Sequence, residues 1–300
     1  MRYFLFAILF SALLPSLRGQ GCSDAGVCSA GSIHSTQVDS FILSIESGER
    51  AGLGEDYTVI SNSLLRIRLK ASQGSILSIQ MNYMIATGNL GYSAGPGDLL
   101  LVYTGTLTDK QNFRILGNLG AKLPTGSSKL RNLENLPLPM TYQPGLGSFD
   151  VLAGISFYLS KWHFSAGFQH VMSRNKNEFL LAAWNGRPEA AAYEESNQLR
   201  RGDDLVLRVE RIFTREGRLL SLSLLPVIRL QKDRFVKNDH ELAIDGSRGL
   251  TVNVNLDWSK ELGDHFRIHG NLAAPIWWRR VRPDGLTRFF VIYAGLNYRI

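Results

Sequence analysis

Three hundred residues with 29 glycines, 20 % charged and 44 % hydrophobic side chains exclude a disordered chain and point away from a helical bundle. The formal charge of +7 falls to about +5 once Arg2 and Arg18 of a removable leader are set aside. No basic run carries interleaved aromatics, so nucleic acid is not an expected partner.

The leader is MRYFLFAILFSALLPSLRG, residues 1–19. One Arg, an apolar core from Tyr3 to Leu14, a Pro and then small residues compose a secretory signal. Its apolar run is shorter than the roughly 20 residues of a membrane-spanning helix. Residues 20–38 follow as a periplasmic N-terminal segment that holds the two cysteines of the chain, Cys22 and Cys28. A disulfide is their simplest fate after export. Metal binding is the poorer alternative, because two thiols lack a nearby His pair and His34 alone does not complete a site.

From 39 to 300 the chain divides into segments of about ten residues that alternate with period two. The pattern predicts strands near 39–47, 57–70, 74–86, 97–106, 111–123, 148–160, 162–173, 203–213, 217–230, 249–259, 264–276 and 286–299. That count is even, and each segment has roughly the 9–11 residues that a tilted strand needs to cross a bilayer. Connections after the even strands are short, for example SQG and TREG. Those after the odd strands include 124–147, 174–202 and 231–248. Such a rhythm belongs to an up-and-down barrel, whereas a soluble sandwich uses Greek-key connections.

Parity sharpens the choice. In LTVNVNLDW, residues 250–258, Leu250, Val252, Val254, Leu256 and Trp258 share one face, and Thr251, Asn253, Asn255 and Asp257 the other. Phe290, Ile292, Ala294, Leu296, Tyr298 and Ile300 repeat the pattern in the last segment. Trp162, Trp258, Trp277, Trp278 and Tyr298 stand at segment ends, where interfacial girdles form. The opposite parity collects Glu46, Arg66, Arg68, Lys70, Arg114, Lys122, Asp150, Arg208, Glu210, Arg229, Asp257, Arg267 and His269. Burying so many ions in a dry core costs several kcal/mol each unless all are paired, whereas a wet lumen removes most of that cost. The competing reading is a soluble β protein with these residues outside. The expected fold is therefore all-β, a closed up-and-down antiparallel transmembrane β-barrel of about 12 strands, because an open sheet edge cannot sit in hydrocarbon.

Three stretches resemble outer-membrane barrels of the meta-pathway phenol-degradation family, relatives in style of the fatty-acid and aromatic-hydrocarbon channels. They are GDLLLVYTG (Gly97 to Gly105), NLGAKLPTG (Asn118 to Gly126) and PGLGSFDVLAGISFYL (Pro144 to Leu159). The opening GCSDAGVCSAG is similar to exported barrels of Bacteroidetes-type bacteria. The resemblance implies a twelve-stranded barrel and uptake of small, often hydrophobic molecules. It carries over no binding residue, since Pro124 and Gly126 end a strand and Gly154 thins a wall.

No GxSxG elbow, HExxH or carboxylate-rich metal loop occurs. His163 and Ser165 share inward parity, yet residues i and i+2 of one strand usually stand side by side without bonding. His170 falls on the lipid parity near a rim, where it would snorkel. RPEAAAYEES, 187–196, reads as a short solvated helix in an external loop. No enzyme activity, metal or cofactor is expected. The expected partners are outer-membrane lipid and a small-molecule substrate. The primary reading is a channel or transporter for small hydrophobic or anionic molecules, lined by the eleven candidates Arg66, Arg68, Lys70, Arg114, Lys122, Arg208, Glu210, Arg229, Asp257, Arg267 and His269. Inward Arg and Lys outnumber inward carboxylates (Glu46, Asp98, Asp150, Glu210, Asp257), which favours anions. The alternative is a plugged barrel that acts through its external loops.

Overall fold

The computed structural model describes residues 19–20, 41–285 and 287–300. The Cys22–Cys28 pair, nearly all of the leader and the rest of the 20–38 segment lie outside the described residues.

Twelve long strands form the wall. They are β1 Leu43–Leu53, β2 Val59–Ser72, β3 Ser75–Gly88, β4 Leu99–Lys110, β5 Phe113–Leu123, β6 Asp150–Leu159, β7 Trp162–Val171, β8 Asp204–Arg215, β9 Arg218–Arg229, β10 Gly249–Leu262, β11 Phe266–Trp277 and β12 Val291–Arg299. Each pairs antiparallel with its sequence neighbours, and β12 returns to β1 with Val291 opposite Gly52 and Arg299 opposite Ser44. Closure satisfies every edge, the condition for a sheet in lipid. An extra strand, Gly91–Pro96, folds back on β3, and Arg234–Lys237 pairs with His240–Ala243 as a separate hairpin in the loop between β9 and β10.

The alternation of loop lengths holds around the whole barrel. Short turns join β2–β3, β4–β5, β6–β7, β8–β9 and β10–β11 at one end, which also carries the chain before β1 and the end of β12. In the β8–β9 turn Glu216 (φ 47°) and Gly217 (φ 71°) both occupy the left-handed region, the type I′ geometry that matches strand twist. The first strand begins at Leu43 rather than at 39, and β1 and β10 run on to Leu53 and Leu262.

Two environments impose the period of two. Leu250, Leu256 and Trp258 are 39 %, 37 % and 42 % exposed on the outer wall, while Thr251, Asn253 and Asn255 are 0 %, 3 % and 7 % exposed inside. Ile45, Leu65, Leu119, Val151, Phe164, Val209, Leu222, Leu272 and Ile292 extend the apolar exterior round the circumference. A soluble fold would leave this belt in water, so its medium is lipid.

The interior departs from a uniformly polar bore. Leu100, Val102, Leu152, Val206, Leu225 and Val227 pack together inside the wall of β4, β6, β8 and β9. At the turn end Phe41 lies buried with Ile76, Leu116 and Tyr158. At the loop end the long loops fold inward: Leu90, Leu138, Tyr142, Phe179, Trp184, Ala190 and Tyr193 pack on Ile60 of β2 and on Met84 and Ala86 of β3. The 187–196 stretch is therefore no solvated helix. Pro188–Ala192 makes a 3-10 turn, and Tyr193 just beyond it is buried, with its hydroxyl 2.8 Å from Thr58 Oγ1 and 3.3 Å from the Tyr142 hydroxyl.

Candidate functional site in the barrel lumen

Near the turn end, β1, β2, β11 and β12 converge on Glu46. Its carboxylate accepts from Arg66 Nη1 at 3.1 Å, Arg68 Nη2 at 2.9 Å and the Tyr293 hydroxyl at 2.9 Å, and His269 Nε2 lies 3.2 Å away. Cross-strand register causes this, since Glu46 stands opposite Arg66 on one side and Asn297 on the other. Arg66 also donates to Gln80 Oε1 through Nε at 2.9 Å. One carboxylate thus compensates two guanidiniums, and several hydrogen bonds offset its desolvation.

On the facing wall Glu210 of β8 joins β7 to β9. Its Oε2 is 2.7 Å from His163 Nδ1, and its Oε1 accepts from Ser221 Oγ at 2.5 Å. Tyr158 stacks on the His163 ring at 4.2 Å. The order is Ser, carboxylate, His, with the acid in the middle. A hydrolytic triad needs the His in the middle, touching the nucleophile. Ser165 makes no bond to His163, and the His is fully buried.

The loop end holds a larger network. Asp150 and Lys122 are register partners across β5–β6 and lie 2.9 Å apart, with Lys122 also 3.6 Å from Asp98. Asp204 and Arg229, register partners across β8–β9, lie 2.7 Å apart. Three loops add their charges to this rim. Arg201 reaches Asp204 at 3.0 Å and Asp150 at 3.4 Å, Asp233 pairs with Arg229, and Asp284 meets Arg279 at 2.7 Å and Arg229 at 2.9 Å. These side chains are almost fully buried. Burial pushes the Asp284 carboxyl up, but the Arg279, Arg229 and Arg201 guanidiniums outweigh it and hold it well below the usual carboxylate range.

Asp98, just before β4, makes a second knot. The amides of Leu146 and Gly147 donate to its Oδ2 at 2.8 and 3.2 Å, and that of Gly126 to its Oδ1 at 3.2 Å. A Cβ on Gly126 would sit 2.7 Å from the Gly97 carbonyl carbon, and one on Gly145 would sit 2.6 Å from Asp98 Oδ1. Backbone must approach this closely for its amides to wrap the carboxylate. GDLLLVYTG, NLGAKLPTG and PGLGSFDVLAGISFYL therefore meet in space at one residue. The amides of this glycine-rich loop cradle an anion that the chain itself supplies, Asp98.

All eleven candidate lining residues lie on the inward parity, in different company. Arg66, Arg68 and His269 converge on Glu46, Glu210 bridges His163 and Ser221, and Lys122 and Arg229 belong to the loop-end network. Arg114 pairs with Asp109 and Arg267 with Glu261 near the turns. Asp257 accepts from Asn271 at 2.8 Å. Lys70 and Arg208 are half-buried and have no ion-pair partner among the described residues. His170 is exposed and lies 3.0 Å from the Asp203 carboxylate at the rim. Strand parity could not reveal Arg201, Asp233, Arg279 and Asp284, which come from loops and bring two cations against two carboxylates; Asp204, at the start of β8, shares the inward parity of Arg208 and Glu210 but was missed. Between the two knots lies a small cavity of about 40 Å³ with a mixed lining, polar from Gln80, Asn82 and Lys122 and apolar from Met84, Leu100 and Met140.

No family model matches this chain, and no curated protein matches it. Among solved structures it is similar to an outer membrane channel from Pseudomonas putida F1, with a TM-score of 0.64 and 13 % identity over 90 % of this chain and 100 % of that one. The NanC porin aligns at TM-score 0.48 and 7 % identity, over 86 % of this chain and 100 % of its own. The first of these likenesses agrees with the fold.

Proposed function

We propose that this chain is a bacterial outer-membrane channel for small molecules whose bore is closed at rest by its own loops. The supporting observation is the make-up of the obstruction at the loop end. It consists of residues from loops 124–149 and 172–203, clipped to the wall by Asp98 and by Arg201 on Asp150 and Asp204, while the wall beneath is complete without them. Loops held by side chains can leave without breaking strand pairing. An anionic solute that entered would meet Lys70 and Arg208. A hydrophobic one would meet the band around Val206 and Leu225.

In this reading a cleaved signal peptide directs export, the short turns and both termini face the periplasm, and the long loops lie outside. Single-cysteine labelling of intact cells in a Cys22/Cys28-free background tests the topology. Label is expected at Asn185 and not at Gly217 or Gly263; the reverse pattern would overturn the orientation. Planar-bilayer recording of the purified protein tests transport. Small, infrequent openings are expected in the wild type and larger, sustained ones in Asp98→Ala. Absence of current from both would favour a second reading, a plugged barrel acting through external features such as the exposed hairpin Arg234–Lys237/His240–Ala243.

A further inference from the structure

Several wall cations at the turn end have a carboxylate at hand: Arg114 has Asp109, and Arg267 and Arg299 share Glu261. One group on the outer wall is different. Arg215 near the end of β8, Arg218 at the start of β9 and Lys260 near the end of β10 are successive cross-strand partners, Arg215 opposite Arg218 and Arg218 opposite Lys260. All three are exposed. Glu216 lies 3.4 Å from Arg215, both facing water in the turn, while Arg218 and Lys260 have no ion-pair partner among the described residues.

Like charges directly opposite each other on neighbouring strands destabilise a sheet, so this row works against the fold unless an anion stands on it. The next outward row toward the centre of the barrel is Phe213, Leu220 and Trp258, again in register. Cations and apolar side chains together border a groove of about 440 Å³. Trp258 leans over Gly270 of β11, where a Cβ would collide with the indole, so the ring lies close against the wall and leaves the groove open. Arg211, one row further in, is satisfied differently, with its guanidinium 4.9 Å over the Trp162 ring.

We propose that this row is a binding site for an anionic phospholipid of the leaflet at the turn end of the barrel. Arg215, Arg218 and Lys260 hold the phosphate, and an acyl chain lies along Phe213, Leu220 and Trp258. Charge selects the ligand: a phosphatidylcholine carries its own cation beside the phosphate, and free phosphate has no chain for the groove. The site requires only that the barrel span a bilayer, and is independent of whether the lumen conducts.

Native mass spectrometry of the detergent-purified protein tests this, with phosphatidylglycerol, phosphatidylcholine of the same chains and inorganic phosphate as probes. Phosphatidylglycerol should bind about tenfold more tightly than phosphatidylcholine, in keeping with the attraction of surface Lys and Arg to anionic leaflets. Inorganic phosphate should not be retained. The Arg218→Gln/Lys260→Gln variant should lose that preference while still migrating as a heat-modifiable barrel, and Lys161→Gln, at another turn of the same end, should keep it. Should the double variant fail to fold, the two single variants should each weaken the preference. Equal retention of the two lipids by the wild type, or an undiminished preference in the variants, would overturn the proposal.

Discussion

The two halves of the lumen use the same chemistry for opposite ends. At the turn end, Glu46, Arg66, Arg68, His269 and Tyr293 all belong to strands, and their bonds tie wall to wall. At the loop end, Arg229 and Asp150 stay on the wall while Arg201, Asp233, Arg279 and Asp284 come from loops. The first network braces the barrel and the second fastens what closes it. Ion pairing by itself therefore does not reveal whether a charge is structural or part of a closure. The element that supplies the partner does.

Changing Arg229 should have the largest effect. Arg229→Met takes one partner from Asp204 and Asp284, which keep Arg201 and Arg279, and leaves Asp233 without its ion pair in a buried site, a loss of about 3–5 kcal/mol at the loop end. Limited proteolysis should then cut loops 172–203 and 230–248 while the barrel keeps its heat-modifiable mobility. Protected loops in that variant would break the distinction between the halves. Next comes Leu222→Arg on the outer wall, expected to cost about 2–4 kcal/mol near mid-bilayer depth, read from denaturant refolding into vesicles. An unchanged midpoint would contradict a lipid-facing Leu222. Glu46→Gln should follow at about 2 kcal/mol, through weakened charge-assisted bonds to Arg66 and Arg68. Its signature is a lower melting temperature with loops still resistant to protease. Loop cleavage in this variant would mean that the two networks are one.

Mild acid should do least. Asp284 is held below the ordinary carboxylate range, so its contribution to loop fastening is present above that range and is lost only as pH falls through the lowered value. Burial raises Asp98, against Lys122 and the three loop amides, so the folded form takes up this proton more readily than the unfolded chain does. That titration favours the folded state as pH falls through its window. Protease resistance of the loops should accordingly be flat from pH 7 to about 5. A steep loss of protection in that interval would point to a different titrating fastener.

The wall was legible in the sequence because two media write alternate residues. Strand parity placed Glu46, Arg66, Arg229 and the outward Leu250, Leu256 and Trp258 on the faces they occupy. The loops were not legible, because inward-folded segments carry no period. A weaker signal was present: Leu138, Met140, Tyr142, Leu146, Phe179, Trp184 and Tyr193 are too apolar for loops that only meet water. Leu225 and Val227 also sat on the inward parity of β9, and the apolar band across the bore follows from them. The loop charges were illegible for the same reason as the loops, since Arg201, Asp233, Arg279 and Asp284 belong to no strand.

The Asp98 knot has a consequence in time. Its ligands come from residues 126, 146 and 147, beyond the end of β5, so β4 and β5 can pair before any amide reaches the carboxylate. Until loop 124–149 arrives, water must solvate that charge, which keeps the mouth of the nascent barrel wet. Strand pairing and the wrapping of Asp98 are thereby separable steps in the assembly of the molecule.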